Sequence, residues 1–128
     1  MSTIKANTLL HSDGSTTNPP AIPALDKRMA KAWGNFNGTG AVAIRDSYNV
    51  SSLTDLATGS YRVNFSTAFA NTNYANFADT SDNNQNTALL NAHTTFDSKA
   101  VGSDKVMTQT DDGSIEDVTH FSYLAFSN

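Results

Sequence analysis

The chain has 128 residues, a formal net charge of −4 and 38% hydrophobic residues, which allows one modest core with an arm and excludes two independent cores. Its eight basic residues are scattered, so they form no electrostatic footprint for a phosphate backbone, and nucleic acid is not expected as a partner. The absence of cysteine excludes disulfides and thiolate metal sites.

Residues 1–23 hold an apolar patch of Ile4, Leu9 and Leu10, a turn signal at Asp13-Gly14 and three prolines, Pro19, Pro20 and Pro23. Prolines remove amide donors and this stretch has too little apolar surface to bury itself, so it reads as an extended arm that orders only against a neighbour. Residues 24–33 read as one short helix, because Leu25, Met29 and Trp33 recur at i, i+4 and i+8, with Asp26 in the first turn and Gly34 as a stop. Trp33 is expected to be largely buried where that stripe meets the body.

From Gly38 the period changes to two. Val42, Ile44, Tyr48 and Val50 alternate with polar or small residues, and Tyr61, Val63, Phe65 and Phe69 do so after a turn at Thr58-Gly59. Further strands are expected over residues 74–78, 87–96, 105–110 and 118–126, with loops at 81–86 and 111–114. Ser, Thr and Asn are frequent, and Glu116 is the only glutamate, a composition suited to strands and turns rather than helix surfaces. The expected fold is all-β: an antiparallel β-sandwich-like domain over residues 34–128, preceded by residues 1–33 as an extended N-terminal arm and one short helix.

No motif for chemistry stands out. The run from Gly38 to Ala43 superficially resembles a dinucleotide fingerprint but opens an alternating strand instead of a helix. His11, His93 and His120 have no partner at metal-ligand spacing. The carboxylates Asp79, Asp82, Asp111, Asp112, Glu116 and Asp117 show no spacing that selects an acid/base pair, and read as solvated loop charges. Catalytic residues, metals and cofactors are therefore expected to be none.

The segment 31–52, KAWGNFNGTGAVAIRDSYNVSS, resembles one that recurs in tail-fibre and other virion structural proteins of tailed phages. The likeness continues through 53–67, LTDLATGSYRVNFST, and 73–75, and residues 1–14, MSTIKANTLLHSDG, are similar to the start of short fibre-like proteins of that kind. The resemblance implies a non-enzymatic virion protein, a tail-fibre or surface-appendage subunit, assembled as a homotrimer with other virion proteins around it. A capsid decoration, cement or adaptor role is the structural alternative, and a small glycan-degrading enzyme the remoter one. On this reading Ile4, Leu9, Leu10, Leu25, Met29 and Trp33 form the assembly interface. Loops with Asp79, Asp82, Asn83, Asn84, Asp111 and Asp112 would meet a host surface glycan or protein. The N-terminus lacks the apolar segment of a signal peptide and no apolar run spans a bilayer, so synthesis in the host cytoplasm, no membrane insertion and final placement in the virion are expected.

Overall fold

Two-residue periodicity puts every second side chain on one face of a strand, and here it builds two layers. The computed structural model describes residues 28–81, 91–94, 99–109 and 113–127, together with Thr8, Leu10, Asp13 and Gly14. Eight strands follow in order: β1 (Ala32–Asn37), β2 (Ala43–Tyr48), β3 (Val50–Ala57), β4 (Ser60–Phe65), β5 (Ala75–Ser81), β6 (Asn91–Thr94), β7 (Ser103–Gln109) and β8 (His120–Phe126). They form two four-stranded sheets of order β2-β1-β8-β5 and β3-β4-β7-β6, in which every pairing is antiparallel. The fold is an antiparallel β-sandwich, as the composition and alternation predict.

The core is the shared inner face. Phe36, Phe121, Tyr123 and Ala125 come from the first sheet, Tyr61, Val63, Phe65 and Val106 from the second, and Phe69, Tyr74 and Val118 from connections. Phe121 lies 4.9 Å from the ring centroid of Phe36 and 4.7 Å from that of Tyr61, so one aromatic stack joins the two layers. The chain passes between sheets at Asn49, whose φ of 56° lies in the left-handed region. Its side-chain amide donates to the carbonyl oxygens of Lys31 (2.9 Å) and Thr67 (3.1 Å), while its Oδ1 accepts from the Thr67 amide (2.7 Å). Those bonds hold the corner where alternation alone would continue one strand. The β3–β4 hairpin closes through Thr58-Gly59, where Gly59 has φ +59° and a Cβ would stand 2.7 Å from the Glu116 carbonyl oxygen.

One expected element is corrected. Among the described residues there is no helix: Arg28 and Met29 lie in a turn, and Ala32 and Trp33 belong to β1, while residues 24–27 lie outside the described residues. The body therefore begins at Ala32, not at 34. Gly34, read as a helix stop, sits in mid-strand with the Phe36 ring folded over the space its side chain would take. Trp33, expected to be largely buried, is 37% exposed, because Ala32, Gly34 and Phe36 occupy the inward phase of the same strand.

Candidate functional site

The outward phase of the first sheet carries the largest exposed aromatic side chains. On β1 it presents Trp33 and Asn35, on β8 Ser122 and Leu124, on β5 Phe77 and Asp79, and on β2 Asp46 and Tyr48. Register then sorts them into rows. Trp33 is paired with Tyr48 on one side and Leu124 on the other, and Leu124 with Phe77, so Tyr48, Trp33, Leu124 and Phe77 run across all four strands. One step along the strands, Asp46, Asn35, Ser122 and Asp79 make a parallel polar row, in which the Asn35 amide donates to Ser122 Oγ at 3.1 Å.

A depression of about 420 Å³ opens on this face, with Trp33 and Phe77 at its sides, Leu124 between them and Asn35, Ser122 and Asp79 along one edge. Its volume is within the roughly 300–1,000 Å³ usual for small-ligand sites. Phe77 is 64% exposed, Tyr48 39%. Three aromatic rings turned to solvent in one row of a small sandwich are a feature that core packing does not require.

Two polar clusters lie behind this face, one centred on buried Asp104 and one on exposed Asp117. Asp104, fully buried on β7, accepts hydrogen bonds at Oδ2 from the Tyr123 hydroxyl (2.9 Å) and the Asn76 amide (2.5 Å), and at Oδ1 from the Lys105 backbone amide (2.9 Å). Tyr123 and Asn76 belong to the opposite sheet, so the carboxylate ties the two layers together. Burial pushes the Asp104 carboxyl above its ordinary pKa, opposed by the Tyr123 and Asn76 hydrogen bonds and by nearby Lys99. Burial, with Asp104 beside it, raises the Tyr123 hydroxyl in turn. Lys99 caps this end, donating to the Tyr74 carbonyl oxygen at 2.9 Å with its ammonium 4.9 Å from the Tyr74 ring centroid.

At the other end Asp117 Oδ1 accepts from the Gly59 amide (2.6 Å) and the Tyr61 hydroxyl (2.8 Å), and Thr108 donates to the Glu116 carbonyl oxygen at 2.5 Å. Burial and the adjacent Asp117 push the Tyr61 hydroxyl up. Asp104 is buried with its hydrogen bonds, whereas Asp117 lies at the surface and bonds inward through Oδ1. No buried side-chain nitrogen or oxygen among the described residues lacks a hydrogen-bond partner, and no group of three metal-ligating side chains occurs among them.

Of the residues expected at the assembly interface, Leu10, Met29 and Trp33 are exposed, and of these three only Trp33 belongs to the sheet. Asp79 is exposed on β5 instead of in a loop, next to Ser122 of β8. Ile4, Leu9, Leu25, Asp82, Asn83, Asn84, Asp111 and Asp112 lie outside the described residues. Sequence reasoning missed Phe77, Tyr48, Asn35, Ser122 and Leu124 as one surface. The available signal was the outward phase of 74–78 and 118–126, but a sequence separation of 87 positions between Asn35 and Ser122 hides their proximity.

Comparison with protein-family models, curated proteins and solved structures finds no match to this chain. Among the described residues no helix is long and apolar enough to cross a membrane.

Proposed function

We propose that the chain is a non-enzymatic structural subunit of a tailed-phage virion, a tail-fibre or surface-appendage protein that presents its sandwich outward and attaches through its N-terminal arm. The observation that carries this reading is the exposed Tyr48–Trp33–Leu124–Phe77 row, held on a sheet in which every buried side-chain polar atom among the described residues has a hydrogen-bond partner. The segment that resembles phage virion proteins, residues 31–52, forms β1, β2 and the Asn49 corner, so the likeness falls on the frame that displays Trp33 and Tyr48.

Spacing favours binding over cleavage. The two carboxylates of the polar row, Asp46 and Asp79, stand on the two edge strands of the sheet, three strand intervals and therefore roughly 14 Å apart. Glycoside hydrolysis needs its pair within about 5–9.5 Å. Assembly is proposed as a homotrimer joined through the N-terminal arm that precedes β1, with the exposed Met29 in the contact and other virion proteins beyond it.

Immuno-electron microscopy and quantitative mass spectrometry of purified particles test the reading. Antibody against the chain should decorate a tail or surface appendage, with copy numbers in multiples of three. Decoration of the capsid lattice would instead favour the cement role, and absence of the chain from particles would refute virion placement.

A further inference from the structure

We infer that the depression between Trp33 and Phe77 is a binding site for a neutral glycan. This deepens the proposal of a non-enzymatic binder and does not depend on where in a virion the chain sits. A sugar ring has an apolar face of C–H bonds and an edge of hydroxyls, and the two rows on the sheet match those halves. Trp33 and Phe77 stand two strand intervals apart, roughly 9–10 Å, with Leu124 as the floor between them. A ring laid over Leu124 meets aromatic surface on both sides. Its hydroxyl edge then falls along Asn35, Ser122 and Asp79, which supply amide, hydroxyl and carboxylate partners at one register step.

Charge selects the glycan class. The two rows contain two carboxylates, Asp46 and Asp79, and no cationic side chain, and the whole chain carries −4. An anionic polymer would meet the Asp79 carboxylate, the one charged side chain that lines the depression, whereas a neutral one would not be repelled. Area argues against a second copy of the chain as the occupant. The exposed portions of Trp33, Tyr48 and Phe77 amount to roughly 300 Å² at typical aromatic side-chain areas, against about 800 Å² per partner in a stable subunit interface. The adjacent row is also polar throughout, where the centre of a subunit interface is depleted in charge.

The test uses the full chain, with maltoheptaose, cellohexaose, a β-galactan oligosaccharide and a neutral bacterial O-polysaccharide as probes, and hyaluronan and polysialic acid as the anionic arm. Calorimetry is run beside emission of Trp33, the one tryptophan. At least one neutral probe should bind saturably, with a change in Trp33 emission and no binding of the anionic arm. Phe77→Ala, at a side chain 64% exposed, should weaken that binding tenfold or more with unchanged circular dichroism. Asp79→Asn should weaken it by a smaller factor. The inference is overturned if no neutral probe binds, if only the anionic probes bind, or if Phe77→Ala binds as the parent does. It is also overturned if light scattering shows self-association that Phe77→Ala abolishes, which would assign the face to a second copy. Failure on glycans with the chain found in particles would leave virion placement standing, and glycan binding with the chain absent from particles would leave this site standing.

Discussion

Removing the Asp104 carboxylate should be among the costlier single changes in the domain. Its Oδ2 is the acceptor for two donors from the opposite sheet, the Tyr123 hydroxyl and the Asn76 amide, in a place where no water-facing alternative exists for the fully buried Asp104. Asp104→Ala leaves both donors without that acceptor; an orphaned buried group costs about 1–3 kcal/mol, the half-buried Asn76 amide less than the buried Tyr123 hydroxyl, so a loss of about 2–5 kcal/mol is expected. Against a total stability of about 5–15 kcal/mol this lowers the urea midpoint substantially. Adding Tyr123→Phe to Asp104→Ala should recover part of the loss, because one orphan is then removed.

The pH dependence of Asp104 has a definite sign. Burial raises its folded-state pKa above the unfolded value near 3.9, so the native state binds the proton more tightly. The stabilisation from protonating Asp104 is fully present below about pH 3.9 and is lost as pH rises through the folded-state pKa. Wild type should therefore lose stability relative to Asp104→Asn over that rise, by at most about 1.4 kcal/mol per pH unit. Urea unfolding from pH 3 to 8 on both proteins reads the difference. A difference that grows in favour of wild type with rising pH, or an Asp104→Ala cost below about 1 kcal/mol, would refute the account.

Three further outcomes follow from packing. Phe121→Ala, which deletes the ring stacked between Phe36 and Tyr61, should cost about 3–5 kcal/mol by chemical denaturation. Gly59→Ala should lower the melting temperature measurably, since a Cβ there combines a left-handed φ, worth about 1–2 kcal/mol, with a close approach to the Glu116 backbone. Trp33→Ala should cost well under the ~3–5 kcal/mol of a buried tryptophan, and native Trp33 emission should be that of a partly solvated indole.

The strands were legible wherever large apolar residues alternate with polar ones. Tyr61-Val63-Phe65 and Phe121-Tyr123-Ala125 announce β4 and β8 in this way, and both deliver their alternate residues to the core. β1 was not legible, because its inward residues are Ala32, Gly34 and Phe36. Two of the three are small, and the one large neighbour at outward phase, Trp33, happens to complete a helical spacing with Leu25 and Met29. Propensity offered no correction, since Ala, Lys and Met favour helix. The Asn49 corner was hidden for a different reason: Tyr48 and Val50 keep the period of two on either side of it, while the left-handed φ and the Lys31 and Thr67 contacts that break the strand are long-range. The outer face required strand order as well, and no local pattern says that β1 lies between β2 and β8.

The same register that builds the core fixes the outer face, which makes the exposed row a property of the fold and not an accident of one side chain. A slip of β1 by one residue against β8 would carry Trp33 into the sandwich and turn Phe36 to solvent. That slip would strip the Phe36 ring from Phe121 and from the space over Gly34, so the core aromatic stack opposes it. Gly34 lets Phe36 close the core, and the inward Phe36 sets Trp33 at the outward phase of the same strand. Leaving Phe77 mostly in solvent, with Trp33 and Tyr48 partly so, forgoes a fraction of the about 1.5–3 kcal/mol that full burial of a Phe-sized side chain is worth. Local rules broken in register across four strands, beside a polar row that needs no partner from the core, point to a ligand on that face.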